Sequence, residues 1–117
     1  MTPSITVHRG AAEIGGSCIE IRSSTGERLI LDAGRPLDAR RDAKDLLPKT
    51  LERSGDATVL ICHSHQDHWG LINELPSHWE VMTGIASAKL IMITARVARQ
   101  PIGRTLSTWS SCDTFAR

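Results

Sequence analysis

The chain reads HSHQDHWG at positions 63–70, directly after the apolar run ATVLIC at positions 57–62. Within six positions the stretch holds four residues of types that commonly bind metal ions: His63, His65, Asp67 and His68. Imidazole and carboxylate groups suit zinc and its first-row neighbours. We therefore interpret the stretch as a metal-binding loop that follows a strand, rather than as a polar turn in which four such residues fall together by chance.

The spacing within this loop predicts two ligand pairs. His63 and His65 are two positions apart, so in an extended segment their side chains point to the same side. Asp67 and His68 are adjacent and diverge unless the backbone turns, for which Trp69-Gly70 offers a place. One short loop could thus serve two neighbouring ions, an arrangement typical of two-metal hydrolytic centres.

A second candidate residue, Asp32, closes the segment RLILDAG at positions 28–34. The central apolar run of this segment predicts a strand that is buried on both faces. A carboxylate at its end is costly unless it is hydrogen-bonded or near a cation. Asp32 could satisfy local backbone amides in a turn, or it could orient a ligand histidine. The nearby metal loop favours the second interpretation.

The rest of the chain predicts a sheet with few helices. Further strands are expected at 4–7, 17–22, 57–62 and 80–83, with antiparallel or mixed pairing. Helices are expected at 71–75 and at 85–99, the latter ended by Pro101, and a weak helix at 42–54 is interrupted by Pro48. The glycine-punctuated segment 8–16 lacks a nucleotide-binding fingerprint and predicts a turn.

The amino-acid composition excludes few classes of function. A net charge near +1 neither favours nor excludes nucleic acid, whereas three Trp, one Phe and no Tyr give no visible base-stacking platform. Three scattered cysteines indicate reduced thiols and a cytoplasmic location, and Cys62 is predicted to be a buried strand residue. No apolar run approaches the ~18 residues of a membrane span, so we expect no membrane partner.

These motifs together resemble one family. The loop H-x-H-x-D-H, preceded by EIGGSCIEI at 13–21 and LILDAG at 29–34, is similar to the opening of metallo-β-lactamase-fold hydrolases. Within that fold the likeness points to the β-CASP branch, the RNA-processing nucleases such as ribonuclease J. It covers roughly residues 4–100.

The resemblance implies an α/β (α+β) chain that forms the N-terminal half of an αββα sandwich, with a mixed, mostly antiparallel sheet and flanking helices. Residues 1–101 would be a partial domain of this fold. Residues 102–117 are predicted to be an irregular tail that diverges from the family or is truncated.

The resemblance also implies roles for the site residues. His63 and His65 would bind a first zinc ion, and Asp67 and His68 a second. Asp67 would in addition contact the nucleophilic water, while Asp32 would support the site. The implied activity is that of a phosphodiesterase or ribonuclease with a zinc-activated water, acting on RNA or another phosphodiester.

The chain departs from the family in its later ligands. After the loop it has a single histidine, His78, and a single aspartate, Asp113, neither at the family's positions. Each ion would keep two protein ligands where catalytic zinc has three. We therefore expect weak metal binding and no turnover by the chain alone. Two alternatives stay open: an inactive remnant with weak metal binding, and a thioester or lactam hydrolase of the same fold.

Overall fold

A computed structural model describes residues 2–109 of the chain. The elements in this range are β1 Ser4–Arg9, β2 Cys18–Arg22, β3 Arg28–Leu31, β4 Thr58–Ile61, α1 Gln66–Trp69, a 3₁₀ turn Ile72–Glu74, β5 Glu80–Gly84, α2 Ile85–Val97 and β6 Leu106–Trp109. None of the helices in this range is long and apolar enough to cross a bilayer.

The six strands within residues 2–109 form one sheet in the order β1-β2-β3-β4-β5-β6. The first three strands pair antiparallel, and β3 through β6 pair parallel. The predicted α/β class and mixed sheet are confirmed. The expectation of mostly antiparallel pairing is wrong, because the long connections after β3, β4 and β5 act as crossovers that return the chain in the same direction.

The hydrophobic core lies on one face of this sheet. The buried strand residues Ile30, Val59 and Val81 belong to the same cluster as Trp69 of α1 and Ile91 of α2. Their neighbours along the strands point to the other face and are half-buried, except for Glu80, which is exposed. The prediction that the third strand is buried on both faces is therefore wrong for the described residues. Residues 2–109 bury only one face of β3.

The weak helix expected at 42–54 does not form; bends and turns occupy the segment. Pro48 lacks the N–H that a helix requires. The backbone N–H groups of Leu46 and Leu47 donate instead to Oε1 of Glu74, at 2.9 and 3.2 Å. Leu47 and Leu51 are buried in the core, so the segment acts as a packed loop against the helical face of the sheet.

The predicted irregular tail needs a similar correction. Leu106–Trp109 forms β6, which pairs parallel with β5 from Val81↔Leu106 to Gly84↔Trp109. The Ser/Thr-rich composition of this segment gives no strong alternating pattern, so the sequence did not predict a strand. Pairing with β5 holds the segment in the sheet. The remainder of the tail, 110–117, lies outside the described residues. The predicted boundary between a partial domain at 1–101 and a tail at 102–117 stays a prediction.

A buried ion-pair network joins the first three strands of the sheet. Glu20 contacts Arg28 Nε at 2.7 Å, His8 Nε2 at 2.8 Å and Arg22 Nη2 at 3.1 Å. The Arg28 guanidinium also lies 5.1 Å from the ring centre of Trp79. Burial alone would raise the pKa of Glu20, but the hydrogen bonds from Arg28, His8 and Arg22 outweigh it and lower the pKa to about 2.

This network predicts a loss of stability in acid. The pKa of Glu20 falls from 4.5 to about 2 on folding, so its contribution is present above pH 4.5 and is lost as the pH falls towards 2. The shift corresponds to about 3 kcal/mol of the free energy of unfolding. Urea unfolding across this pH range should show the loss. Glu20→Gln should be less stable than the wild type at neutral pH, because Arg28 loses its charged partner. Its free energy of unfolding should also depend less on pH. If the free energies of the variant and the wild type changed in parallel with pH, the assignment to Glu20 would be wrong.

Candidate metal centre

The predicted site residues lie at the carboxyl ends of two neighbouring parallel strands. Asp32 directly follows β3, and the loop that begins at His63 follows β4. Side chains that leave adjacent parallel strands at this edge meet outside the sheet, where open α/β sheets bind their ligands. The parallel pairing of β3 with β4 therefore brings Asp32 to the histidine loop, 63–70, although 30 residues of sequence separate it from Cys62.

Asp32 joins the two strand ends through both oxygens of its carboxylate. Oδ2 lies 2.6 Å from Nδ1 of His68, and Oδ1 accepts the backbone N–H of Cys62 at 2.8 Å. The side chain is buried, and the residue adopts a φ of 68°, which aspartate tolerates better than most residues. The hydrogen bond to Nδ1 leaves Nε2 of His68 free to bind a ligand. The orienting role of Asp32 towards a metal-bound His68 stays a prediction, and this contact is the geometry that it requires.

The loop brings its donor atoms together in two pairs. Nε2 of His63 lies 3.2 Å from Nδ1 of His65, and Nε2 of His68 lies 3.6 Å from Oδ2 of Asp67. Two ligands bound to one tetrahedral zinc at about 2.0–2.1 Å would lie roughly 3.4 Å apart. Both pairs are close to this separation, so the distance between the two donor atoms of each pair fits zinc.

The two pairs are also neighbours. The ring centres of His63 and His68 are 5.3 Å apart, and those of His63 and His65 are 4.3 Å apart. Residues 2–109 nonetheless contain no group of three or more His, Cys, Asp or Glu side chains arranged to hold one ion. This part of the chain thus holds two neighbouring pairs of side chains of metal-binding types, each pair one ligand short of a catalytic zinc site.

Backbone hydrogen bonds dock the loop onto the strands. The helix α1 begins at Gln66, earlier than the turn expected at Trp69-Gly70, and its carbonyl groups point to neighbouring loops. The carbonyls of Gln66, Asp67 and His68 accept the N–H groups of Arg35, Ser17 and Ala33, at 3.1, 3.2 and 2.9 Å. Sequence patterns carry no signal for these main-chain contacts. The contacts nevertheless determine where the two side-chain pairs of the loop lie.

Gly34 permits this docking, and sequence reasoning did not single it out. A Cβ at this position would lie 1.7 Å from the carbonyl oxygen of Asp67. The helix can pack against the strand end only because no side chain intervenes. The glycine in the sequence Asp-Ala-Gly after a strand was the available signal, since a glycine there often marks a close approach of two backbones.

Trp69 anchors the far end of the loop. Its ring is buried in the core, and its indole Nε1 donates to the carbonyl of Ser64 at 2.7 Å. This bond closes the loop across the ligand residues. The loop that carries the imidazole and carboxylate groups is therefore held by the core through Trp69 and by the strand ends through its backbone hydrogen bonds.

Two further sequence predictions concern residues around the loop. Cys62 is exposed rather than buried, because β4 ends at Ile61. Partial desolvation, then the charge and hydrogen bond of Asp32, raise the pKa of Cys62 to about 11, so its thiol stays protonated at neutral pH. His78 contacts the carbonyl of Gly55 at 2.8 Å, before β4, and hence lies at the opposite edge of the sheet from the loop.

Comparison with known proteins decides the family. A model of the metallo-beta-lactamase superfamily matches residues 12–114. The chain belongs to this superfamily. The metallo-beta-lactamase match includes β2 through β6 and the whole histidine loop, and it confirms the fold that the sequence motifs predict.

Two relatives refine this placement. An RNase J-like protein from Methanocaldococcus jannaschii is 37% identical over 65 residues, which are 56% of this chain and 14% of that protein. This local match supports the predicted likeness to the β-CASP branch. A solved structure of a protein of unknown function from Enterococcus faecalis V583 superposes with a TM-score of 0.75 at 19% identity. It covers 94% of this chain and 34% of that one, and it shows the shared fold.

Proposed function

We propose that this metallo-beta-lactamase chain carries part of the metal site of a phosphodiester hydrolase whose substrate class is RNA. The observation that supports it most is the geometry of the loop, in which His63 with His65 and Asp67 with His68 stand at zinc-ligand separations of 3.2 and 3.6 Å. The local similarity to an RNase J-like protein favours RNA over other substrates of the fold.

In this proposal the residues have distinct roles. His63 and His65 would hold one zinc ion, and Asp67 and His68 the other. Bound zinc supplies a nucleophile at neutral pH and polarises the scissile phosphoryl group. Asp32 is a positioning residue, because it fixes the ring of His68 without reaching the substrate. The half-exposed carboxylate of Asp67 can accept a proton from the attacking water.

The count of ligands supports a second candidate function, a metal-binding remnant without turnover. Each pair supplies two protein ligands where a catalytic zinc has three, and residues 2–109 hold no third ligand for either pair. Thioester and lactam hydrolysis stay open within the fold, but no described residue favours them. The cytoplasmic location stays a prediction based on unpaired thiols.

Zinc-dependent binding of a short, phosphorothioate-stabilised RNA tests the substrate class. We expect fluorescence anisotropy to show binding that rises with zinc and is lost with a chelator, and that persists in moderate salt where nonspecific contacts weaken. Asp67→Ala should reduce zinc-dependent binding at least tenfold, while its half-exposed side chain leaves the unfolding midpoint nearly unchanged. RNA binding that does not depend on zinc would contradict the proposal.

Turnover separates the two candidates. Zinc-dependent hydrolysis of bis(p-nitrophenyl) phosphate that Asp67→Ala abolishes would identify the hydrolase and exclude the remnant. Zinc binding at the loop with a rate equal to the zinc-only blank would identify the remnant. Hydrolysis of a thioester in preference to the phosphodiester would contradict the proposed substrate class.

A further inference from the structure

Two segments that carry arginines meet beside the histidine loop. One follows β3 and contributes Arg35 and Arg41, and the other ends α2 and contributes Arg96 and Arg99. We name these four residues the basic patch. Arg41, Arg96 and Arg99 are exposed, and Arg35 is half-buried. Residues 81–109 hold four Lys or Arg side chains and no Asp or Glu, so no carboxylate in that range offsets the charge at the end of α2.

Hydrogen bonds hold both segments against Gln66, which lies between the two side-chain pairs of the histidine loop. The backbone N–H of Arg35 donates to the carbonyl of Gln66 at 3.1 Å. The side-chain amide of Gln66 donates to Oε1 of Gln100 at 2.7 Å. The guanidinium of Arg35 in turn donates to the carbonyl of Arg40. The basic patch therefore adjoins the predicted metal ligands, although it is distant from them in the sequence.

Local partners use little of the hydrogen-bonding capacity of Arg41. Its Nη2 donates to the carbonyl of Ala98 at 3.0 Å, and a guanidinium has five N–H donors. The two segments, 35–42 and 96–100, contain two carboxylates, Asp38 and Asp42. Asp42 lies 3.5 Å from Nε of Arg40, an arginine outside the basic patch that offsets its charge. Within these segments Asp38 alone then opposes the four arginines of the patch.

Arg99 occupies a position that favours glycine. Its φ is 56°, its N–H donates to the carbonyl of Arg96 at 3.2 Å, and the N–H of Gln100 donates to that of Ala95 at 2.9 Å. This is the hydrogen-bond pattern of a Schellman helix end, at which glycine is the usual left-handed residue. A side chain there costs energy, so the ending of α2 does not explain an arginine. A role for its charge beside the loop does.

We propose that the basic patch binds phosphate groups of an RNA strand next to the phosphate at the histidine loop. This inference rests on the proposed phosphodiester hydrolase function. Guanidinium groups bind phosphate through paired hydrogen bonds. Residues 35–42 and 96–100 contain no aromatic side chain for base stacking, so the patch contacts the backbone and carries no preference for base sequence. The substrate is then a strand of several nucleotides rather than a small phosphodiester.

Fluorescence anisotropy with zinc present, across a range of salt concentrations, tests the patch. The double variant Arg41→Ala, Arg99→Gly should bind a phosphorothioate RNA of about ten nucleotides at least tenfold more weakly at low salt. Its plot of log affinity against log salt should be less steep by about 1.4, roughly 0.7 for each lost phosphate contact. A phosphorothioate dinucleotide, too short to reach the patch, should bind the variant and the wild type equally. Arg53→Ala, at an exposed arginine before β4, is the matched control and should change neither quantity.

Arg99→Gly alone separates the loss of charge from a loss of structure. Glycine suits the left-handed position, so the urea midpoint should stay or rise while the affinity for the longer RNA falls. If the double variant binds this RNA as tightly as the wild type while Asp67→Ala weakens binding, the patch is wrong and the proposed function stands. If only the double variant weakens binding, the patch is supported and the proposed function is contradicted. Unchanged binding in both variants, or equal affinity of the wild type for polyglutamate, would overturn the patch.

Discussion

Replacing Asp32 with alanine is expected to weaken both the fold and the metal site. The change removes the 2.6 Å contact to His68 and leaves the N–H of Cys62 without its acceptor. The lost hydrogen bonds and the left-handed backbone of residue 32 together predict a fall of about 2–4 kcal/mol in the free energy of unfolding. Zinc affinity should fall about 10- to 100-fold, as for other residues that orient a ligand histidine. Urea unfolding and zinc titration measure the two effects.

Two variants separate these contributions. Asp32→Asn keeps an acceptor for Cys62 and tolerates the positive φ, so it should retain most of the stability while still losing zinc affinity. Asp38→Ala, at an exposed carboxylate in the following loop, should change neither quantity. If Asp32→Ala unfolded at the wild-type urea concentration, the proposed link between the strand end and the histidine loop would be wrong.

Gly34→Ala is expected to have the other large effect. Its Cβ would lie 1.7 Å from the carbonyl oxygen of Asp67 and 2.8 Å from the backbone nitrogen of Ser17. Neither neighbour is a flexible side chain, so α1 must move away from the strand end. We expect a loss of about 3 kcal/mol or more in the free energy of unfolding, with weaker zinc binding because Asp67 is displaced.

Gly84→Ala provides the matched control for this prediction. A Cβ at Gly84 meets nothing within 4 Å, and the residue has a φ of −62° that alanine adopts freely. Gly84 is the N-cap of α2, where alanine is less favourable than glycine, so its loss of stability should be at most about 1 kcal/mol. Equal unfolding midpoints for Gly34→Ala and the wild type would show that the backbones do not approach each other as closely as the structure has them.

Residue types and short-range spacing were enough to predict the elements around the site. Sequence patterns located the strands β2 and β4, and they located α2 from its first residue to within two residues of its last. The pairing of His63 with His65, and of Asp67 with His68, follows from spacings of two residues and one. Asp32 could be singled out because a carboxylate at the end of an apolar strand needs a partner.

Long-range contacts were beyond these patterns. The parallel direction of β3 and β4 depends on how a 26-residue connection crosses over, and local propensity does not encode it. β6 has no strong pattern of its own and is held by β5. The Gly34 contact and the amide bonds to the α1 carbonyls arise from two segments that meet only in the fold. These contacts determine where the side-chain pairs of the histidine loop lie. The sequence identifies only which residues form the pairs.

The central claim is that the histidine loop binds metal, and isothermal titration of zinc into the chelator-treated protein tests it most directly. Wild type should bind zinc, and His65→Ala should bind it at least tenfold more weakly because one pair loses a ligand. His78→Ala, which removes a histidine at the opposite edge of the sheet, should match the wild type. Equal zinc affinity for wild type and His65→Ala would contradict the ligand assignment.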